Sequence, residues 1–124
     1  MRRIRNSNNQ MNIVKLKLEL ERLPQAIRDC GHSFIEARDK AEKEKLSLSI
    51  AMSTAMLKAE RPNATEKKAY AIIATQAYHK RYLKAQLEEE KTRIELQYVQ
   101  DQYITVRKLA SLEEKMMSSN ISGN

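Results

Sequence analysis

Cysteine, glycine, proline and aromatic residues are scarce in this chain, and each scarcity excludes something. Cys30 is the single cysteine, so no disulfide can close within the chain and a reducing compartment is expected. Two glycines and two prolines stand against roughly 8 and 6 at average usage for this length. Turns are therefore few and regular elements long. Tryptophan is absent, and five Tyr and one Phe are the whole aromatic complement. No apolar run approaches the ~20 residues that a membrane span needs. The basic N-terminus is followed by Asn6 to Gln10, where a signal peptide would carry its apolar core. A cytoplasmic protein without a membrane segment is expected.

Chemistry-bearing constellations are missing as well. Cys30 and His32 are two apart and would not share a helix face. His32 and His79 have no second Cys/His pair to complete a zinc site, so no metal and no cofactor are expected. Glu88, Glu89 and Glu90 are consecutive, and adjacent helical residues point in different directions, as in a solvated charge run. There is no Gly-rich phosphate loop and no nucleophile elbow. The sequence reads as that of a non-enzyme.

What is present is helix. Ala, Leu, Glu, Lys, Arg, Gln and Met dominate, the composition of long helices and coiled coils. Val14, Leu16, Leu18 and Leu20 alternate with charged residues as a strand would, but Ile13, Leu16, Leu20, Leu23 and Ile27 step by 3 and 4. The strong helix formers around them decide for helix. The same seam continues through Cys30, Phe34, Ala37, Ala41, Leu48, Ala55 and Ala59. Pro24 removes a helical hydrogen bond, and Ser33 with Glu36 makes a capping-box pattern after Gly31. The expectation is a helix over about 13–23, a second over about 25–60 with a kink near Gly31, and a turn at Arg61-Pro62-Asn63. Asn63 then caps a third helix over 63–117, with Glu66 at the capping-box position. Residues 1–11 and 118–124 read as disordered tails that bury nothing. One helical domain, 12–117, lies between them.

The third helix, on a 100° wheel, carries two apolar stripes. One holds Ala69, Ile73, Ala77, Leu83, Leu87, Ile94, Tyr98, Leu109, Leu112 and Met116; the other holds Ala74, Tyr78, Ala85, Leu96, Val99, Tyr103, Val106, Ala110 and Met117. His79, Gln86 and Arg93 fall between them on the polar side. One stripe packs on the preceding helix and the other needs a further chain. Leu96, Val99, Tyr103, Val106 and Ala110 are taken as that oligomer interface. The expected fold class is all-α: a long helical hairpin or coiled coil, assembling as a homo-oligomer into a helical bundle. Methionines 52, 56, 116 and 117 at helical spacing read as adaptable core filling.

The net charge is +7, from 23 Lys plus Arg against 16 Asp plus Glu, which suits a polyanionic partner. Its richest local signal is Lys67, Lys68, Lys80, Arg81 and Lys84, interleaved with Tyr70, Tyr78 and Tyr82 and free of acids between Glu66 and Glu88. Such cations can neutralise phosphates, and exposed Tyr rings can stack on unpaired bases. Tyr70 and Tyr78 can equally pack between helices, with the lysines as a solvated face. Arg2, Arg3 and Arg5 are further candidates for backbone contacts.

The stretch from Ala37 to Lys115, about two thirds of the chain, resembles a group of small helical proteins of tailed phages, similar to the UvsY-type recombination mediators. The likeness is carried by Asn63-Ala64-Thr65-Glu66-Lys67-Lys68-Ala69-Tyr70-Ala71, then Tyr78-His79-Lys80-Arg81-Tyr82-Leu83. A long helix ending Val106-Arg107-Lys108-Leu109-Ala110-Ser111-Leu112 completes it. Such mediators are oligomeric, bind single-stranded DNA and help load a recombinase onto strands covered by a single-strand-binding protein. The resemblance implies a non-enzymatic DNA-transaction accessory that binds single-stranded DNA as an oligomer and assists recombination. It makes Lys67, Lys68, Tyr78, Lys80, Arg81, Tyr82 and Lys84 the DNA-contact residues, and a recombinase or single-strand-binding protein a partner. The basic N-terminus and the Pro24 and Gly31 breakers depart from the pattern. The competing expectation is a protein-binding adaptor, inhibitor or structural coiled-coil protein with no nucleic-acid contact.

Overall fold

A computed structural model describes residues 2–60 and 63–122, with side chains for 12–60 and 63–119. The order is α1 (Arg2–Lys58), α2 (Ala64–Ala74) and α3 (Gln76–Ser122), with no strand among the described residues. The fold is all-α. Two compact units share these helices. One joins α1 up to Gly31 with α3 from Ile94 onward; the other is His32–Arg93.

In the first unit, Ile13, Leu16 and Leu20 face Met117, Glu113 and Ala110 across one groove, so α1 and α3 run antiparallel there. Leu23 is fully buried, and among the described residues of this unit Val106 is the buried apolar residue from α3. In the second unit, Ala37 and Glu44 of α1 lie along Glu88, Ala85 and Arg81. Ser47 to Lys58 lie along Tyr78, Thr75 and Tyr70. This pairing is antiparallel too. Its core is alanine: Ala37, Ala41, Ala59, Ala71 and Ala85 are all buried. Small side chains at the contact let two helices approach closely, at the expense of apolar area removed from water.

The 3-and-4 seam of α1 is the face that packs. Every seam residue from Ile13 to Ala59 named above is buried or half-buried. The breakers are overridden. Instead of ending near Leu23 and restarting at Gln25, α1 passes through Pro24 and Gly31 without interruption. A proline inside a helix costs about 3 kcal/mol. The adjacent Leu23, with no exposed surface, recovers about 1.5–3 kcal/mol of that by burial. The seam holds its phase on both sides, which makes continuation cheaper than a break. The helix also begins at Arg2, inside the segment expected to be a disordered tail. At the other end α3 extends to Ser122, past the expected boundary at 117.

Of the turn expected at Arg61-Pro62-Asn63, Arg61 and Pro62 lie outside the described residues; α1 ends at Lys58 and α2 begins at Ala64. The Ala59 N–H closes the end of α1 on the Met56 carbonyl at 3.3 Å. Asn63 is extended and its side chain accepts from the Glu66 N–H at 2.8 Å, satisfying one of the free donors at the start of α2. The single helix expected over 63–117 is instead two, divided at Thr75. The buried Thr75 hydroxyl donates to the Ala71 carbonyl at 2.6 Å and lies 3.2 Å from Met52 Sδ. Back-bonding of this kind favours a bend, but it is not sufficient. Buried Thr92 donates to the Glu88 and Glu89 carbonyls inside an unbroken α3. The contact with Met52 is what sets Thr75 apart. Helical bonding resumes at once, with the Tyr78 and His79 N–H groups on the Thr75 carbonyl at 3.0 and 3.1 Å.

Candidate nucleic-acid interface

The two stripes of α3 take roles opposite to those expected. Leu96, Val99, Tyr103 and Ala110 are half-buried and Val106 is buried, inside the unit that α3 forms with the first half of α1. The residues predicted to join another copy are thus used within the chain. Leu83, Leu87, Ile94, Tyr98, Leu109, Leu112 and Met116 are exposed instead. The reason is size. Ala85, Val106 and Ala110 make the second stripe the narrower one, and α1 can approach it more closely. A wheel shows both stripes but not which of them a neighbour fits.

Among the predicted contact residues, Lys68, Lys80, Arg81 and Lys84 are exposed, and Lys67 and Tyr82 are half-buried. Lys80 and Lys84 are one turn apart on α3, so their side chains lie on one face. Tyr78 does not offer its ring to a base. It lines the groove against Ile50 and Ala51 of α1, and the Arg81 guanidinium lies over the ring, 4.4 Å from its centroid, a cation–π contact. The side chains of Arg2, Arg3 and Arg5 lie outside the described residues.

Arg81 and Lys84 border a groove of about 510 Å³ together with Lys40 of α1 and the carboxylates Glu44 and Glu88. No ion pair closes across it among the described residues. The ion pairs that do form lie elsewhere: Glu19 with Arg22, Asp39 with Lys43, and Glu90 with Arg93. Hydrogen bonding to Asp39 raises the Lys43 ammonium above its ordinary value. The bond from Arg93 holds the Glu90 carboxyl below the usual carboxylate range. Those three cations are paired, whereas Lys68, Lys80, Arg81 and Lys84 enter no ion pair among the described residues, with Glu44 and Glu88 the carboxylates beside Arg81 and Lys84 in the groove. Glu88, Glu89 and Glu90 form no carboxylate cluster: Glu88 borders the groove, Glu89 is half-buried and Glu90 holds Arg93.

Lys40 is the contact candidate that the sequence pattern missed. Folding the chain back about the Asn63 turn places residue 40 opposite residue 84, and that register would have found it. His79 also departs from its expected place on the polar side. It is half-buried, and its Nε2 is buried without a hydrogen-bond partner among the described residues. Cys30 is half-buried within the seam, and no group of three metal-ligating side chains occurs among the described residues. None of the described helices is long and apolar enough to cross a membrane.

The chain matches no protein-family model, no curated protein and no solved structure. The functional reading therefore stands on these residues and their geometry.

Proposed function

We propose that the protein is a non-catalytic accessory of DNA transactions, binding single-stranded DNA through Lys68, Lys80, Arg81 and Lys84. One observation carries this reading: between Glu66 and Glu88 every charged side chain is cationic, and none is held in an ion pair. Phosphates are the ligands that such a surface attracts, and their binding releases counterions. With Tyr78 occupied by Arg81, the exposed Tyr70 and the half-buried Tyr82 are the rings of this segment that can stack on unpaired bases, and phosphate contacts supply the rest. Little sequence preference follows. Repetition of the patch in an oligomer would multiply weak contacts along one strand. In this reading the protein acts in the cytoplasm, as the phage-type mediators do, assisting a recombinase on strands held by a single-strand-binding protein.

The test is fluorescence anisotropy with labelled single-stranded and duplex DNA at two salt concentrations. Binding should prefer single strands and weaken steeply with salt, by about 0.7 logarithmic units per decade of salt for each phosphate contacted. Lys80→Glu with Arg81→Glu should abolish it while circular dichroism reports unchanged helicity. Unchanged affinity in that double variant would remove these residues from the site. No binding at low salt would overturn the nucleic-acid reading altogether. The exposed apolar residues of α3 favour a protein-docking role in that event, as an adaptor or structural coiled-coil component.

A further inference from the structure

The uncovered face of α3 has an order of its own. Ile94, Tyr98, Leu109, Leu112 and Met116 are between 46% and 67% exposed, and exposed Asp101 and Thr105 fill the same face between them. Successive steps along this row, from Ile94 to Met116, are 4, 3, 4, 4, 3 and 4. The order reads identically in both directions, with Thr105 at its centre. A row of that kind complements itself when a second helix is laid across it antiparallel.

We infer that this face binds a second copy of the chain, α3 against α3, antiparallel about a two-fold axis at Thr105. The axis places Ile94 on Met116 of the other copy and Tyr98 on Leu112. Asp101 then meets Leu109, with Lys108 on the same flank. Lys108 is exposed and enters no ion pair among the described residues. Asp101 uses Oδ1 to accept from Gln97 Nε2 at 3.0 Å, and its second oxygen is available to that lysine. Symmetry makes this charge pair twice. A parallel pairing in register would instead bring Asp101 onto Asp101 and lose both pairs. Glu113, on the flank that Glu95 of the other copy approaches, is half-buried in the groove with Ile13 and Leu16.

The areas agree with a second copy. The row from 94 to 116 is about 34 Å long at 1.5 Å per residue. Two helices joined along it remove on the order of 1,000 Å² from water, the size at which specific interfaces begin. The inference rests on apolar spacing and charge, not on DNA binding, so the two can fail separately.

Light scattering on the full chain, with cysteine cross-linking in a Cys30→Ser background, tests it. The mass should be that of a dimer or an even multiple. Thr105→Cys, on the axis, should cross-link to itself under mild oxidation and convert most of the chain to a covalent dimer, since the two residues come within disulfide reach. Tyr98→Cys alone should not cross-link, but mixed with Leu112→Cys it should. A monomer at every concentration overturns the proposal. So does efficient self-cross-linking of Tyr98→Cys, which marks a parallel pair, or failure of Thr105→Cys to cross-link while the chain remains helical.

Discussion

Gly31 lies in the middle of α1 without a positive φ, so its backbone asks for nothing that alanine cannot supply. A Cβ built there meets nothing within 4 Å. Glycine in a helix interior is about 0.5–1 kcal/mol worse than alanine, because it has more freedom to lose on folding. Gly31→Ala should therefore raise stability by about that amount, read as a higher urea midpoint with an unchanged slope. A lower midpoint would mean that a close neighbour or an unseen partner needs the bare backbone. At this scale the seam was legible in the sequence, because Ile13 to Ala59 obey one spacing that only a helix face can use. His79 and Lys40 were not, and Tyr78 stood between a base-stacking and a packing reading. What each meets is set by α1 lying across α3, and no local pattern records that.

Among the elements, the start of α2 was the most legible feature, since Asn63 is a capping residue with Glu66 three positions on. Asn63→Ala leaves the Glu66 N–H without its 2.8 Å acceptor and should cost about 0.5–2 kcal/mol. Hydrogen exchange at Glu66 and its neighbours should accelerate more than exchange in α3. An equal acceleration everywhere would mean that α2 unfolds only with the rest and the cap has no local role. Pro24 and Thr75 exchanged their expected roles for a common reason. Local propensity names proline as the breaker and lets threonine pass. Packing decides otherwise, since Leu23 beside the proline is buried without residue while Thr75 is buried with a hydroxyl that must find an acceptor. Burial is a property of the pair of helices, and Thr92, buried and bonded back within an unbroken α3, shows that a back-bonded hydroxyl does not by itself set the break.

For the molecule as a whole, the core is thin. Leu23 is the only large side chain fully buried among the described residues, and five of the seven buried apolar residues are alanines. An alanine loses little area to the interior, so its contribution is well below the 1.5–3 kcal/mol of a buried leucine. Meanwhile Leu57 is 89% exposed, and the face of α3 from Ile94 to Met116 is open. A chain that leaves its larger residues outside and its smaller ones inside gains much of its stability only when that outside is covered. Folding and association should then be linked, and the melting temperature should rise with protein concentration. A tenfold rise contributes about 1.4 kcal/mol per mole of dimer, or about 2–4 °C for a chain of this size. Leu112→Asp sets a charge opposite Tyr98 of the other copy and should abolish the dependence, melting lower and at one temperature across the dilution series. A flat wild-type series, with a melting point equal to that of the variant, would show that the alanine seam holds the fold by itself. The open face of α3 would then add nothing to it.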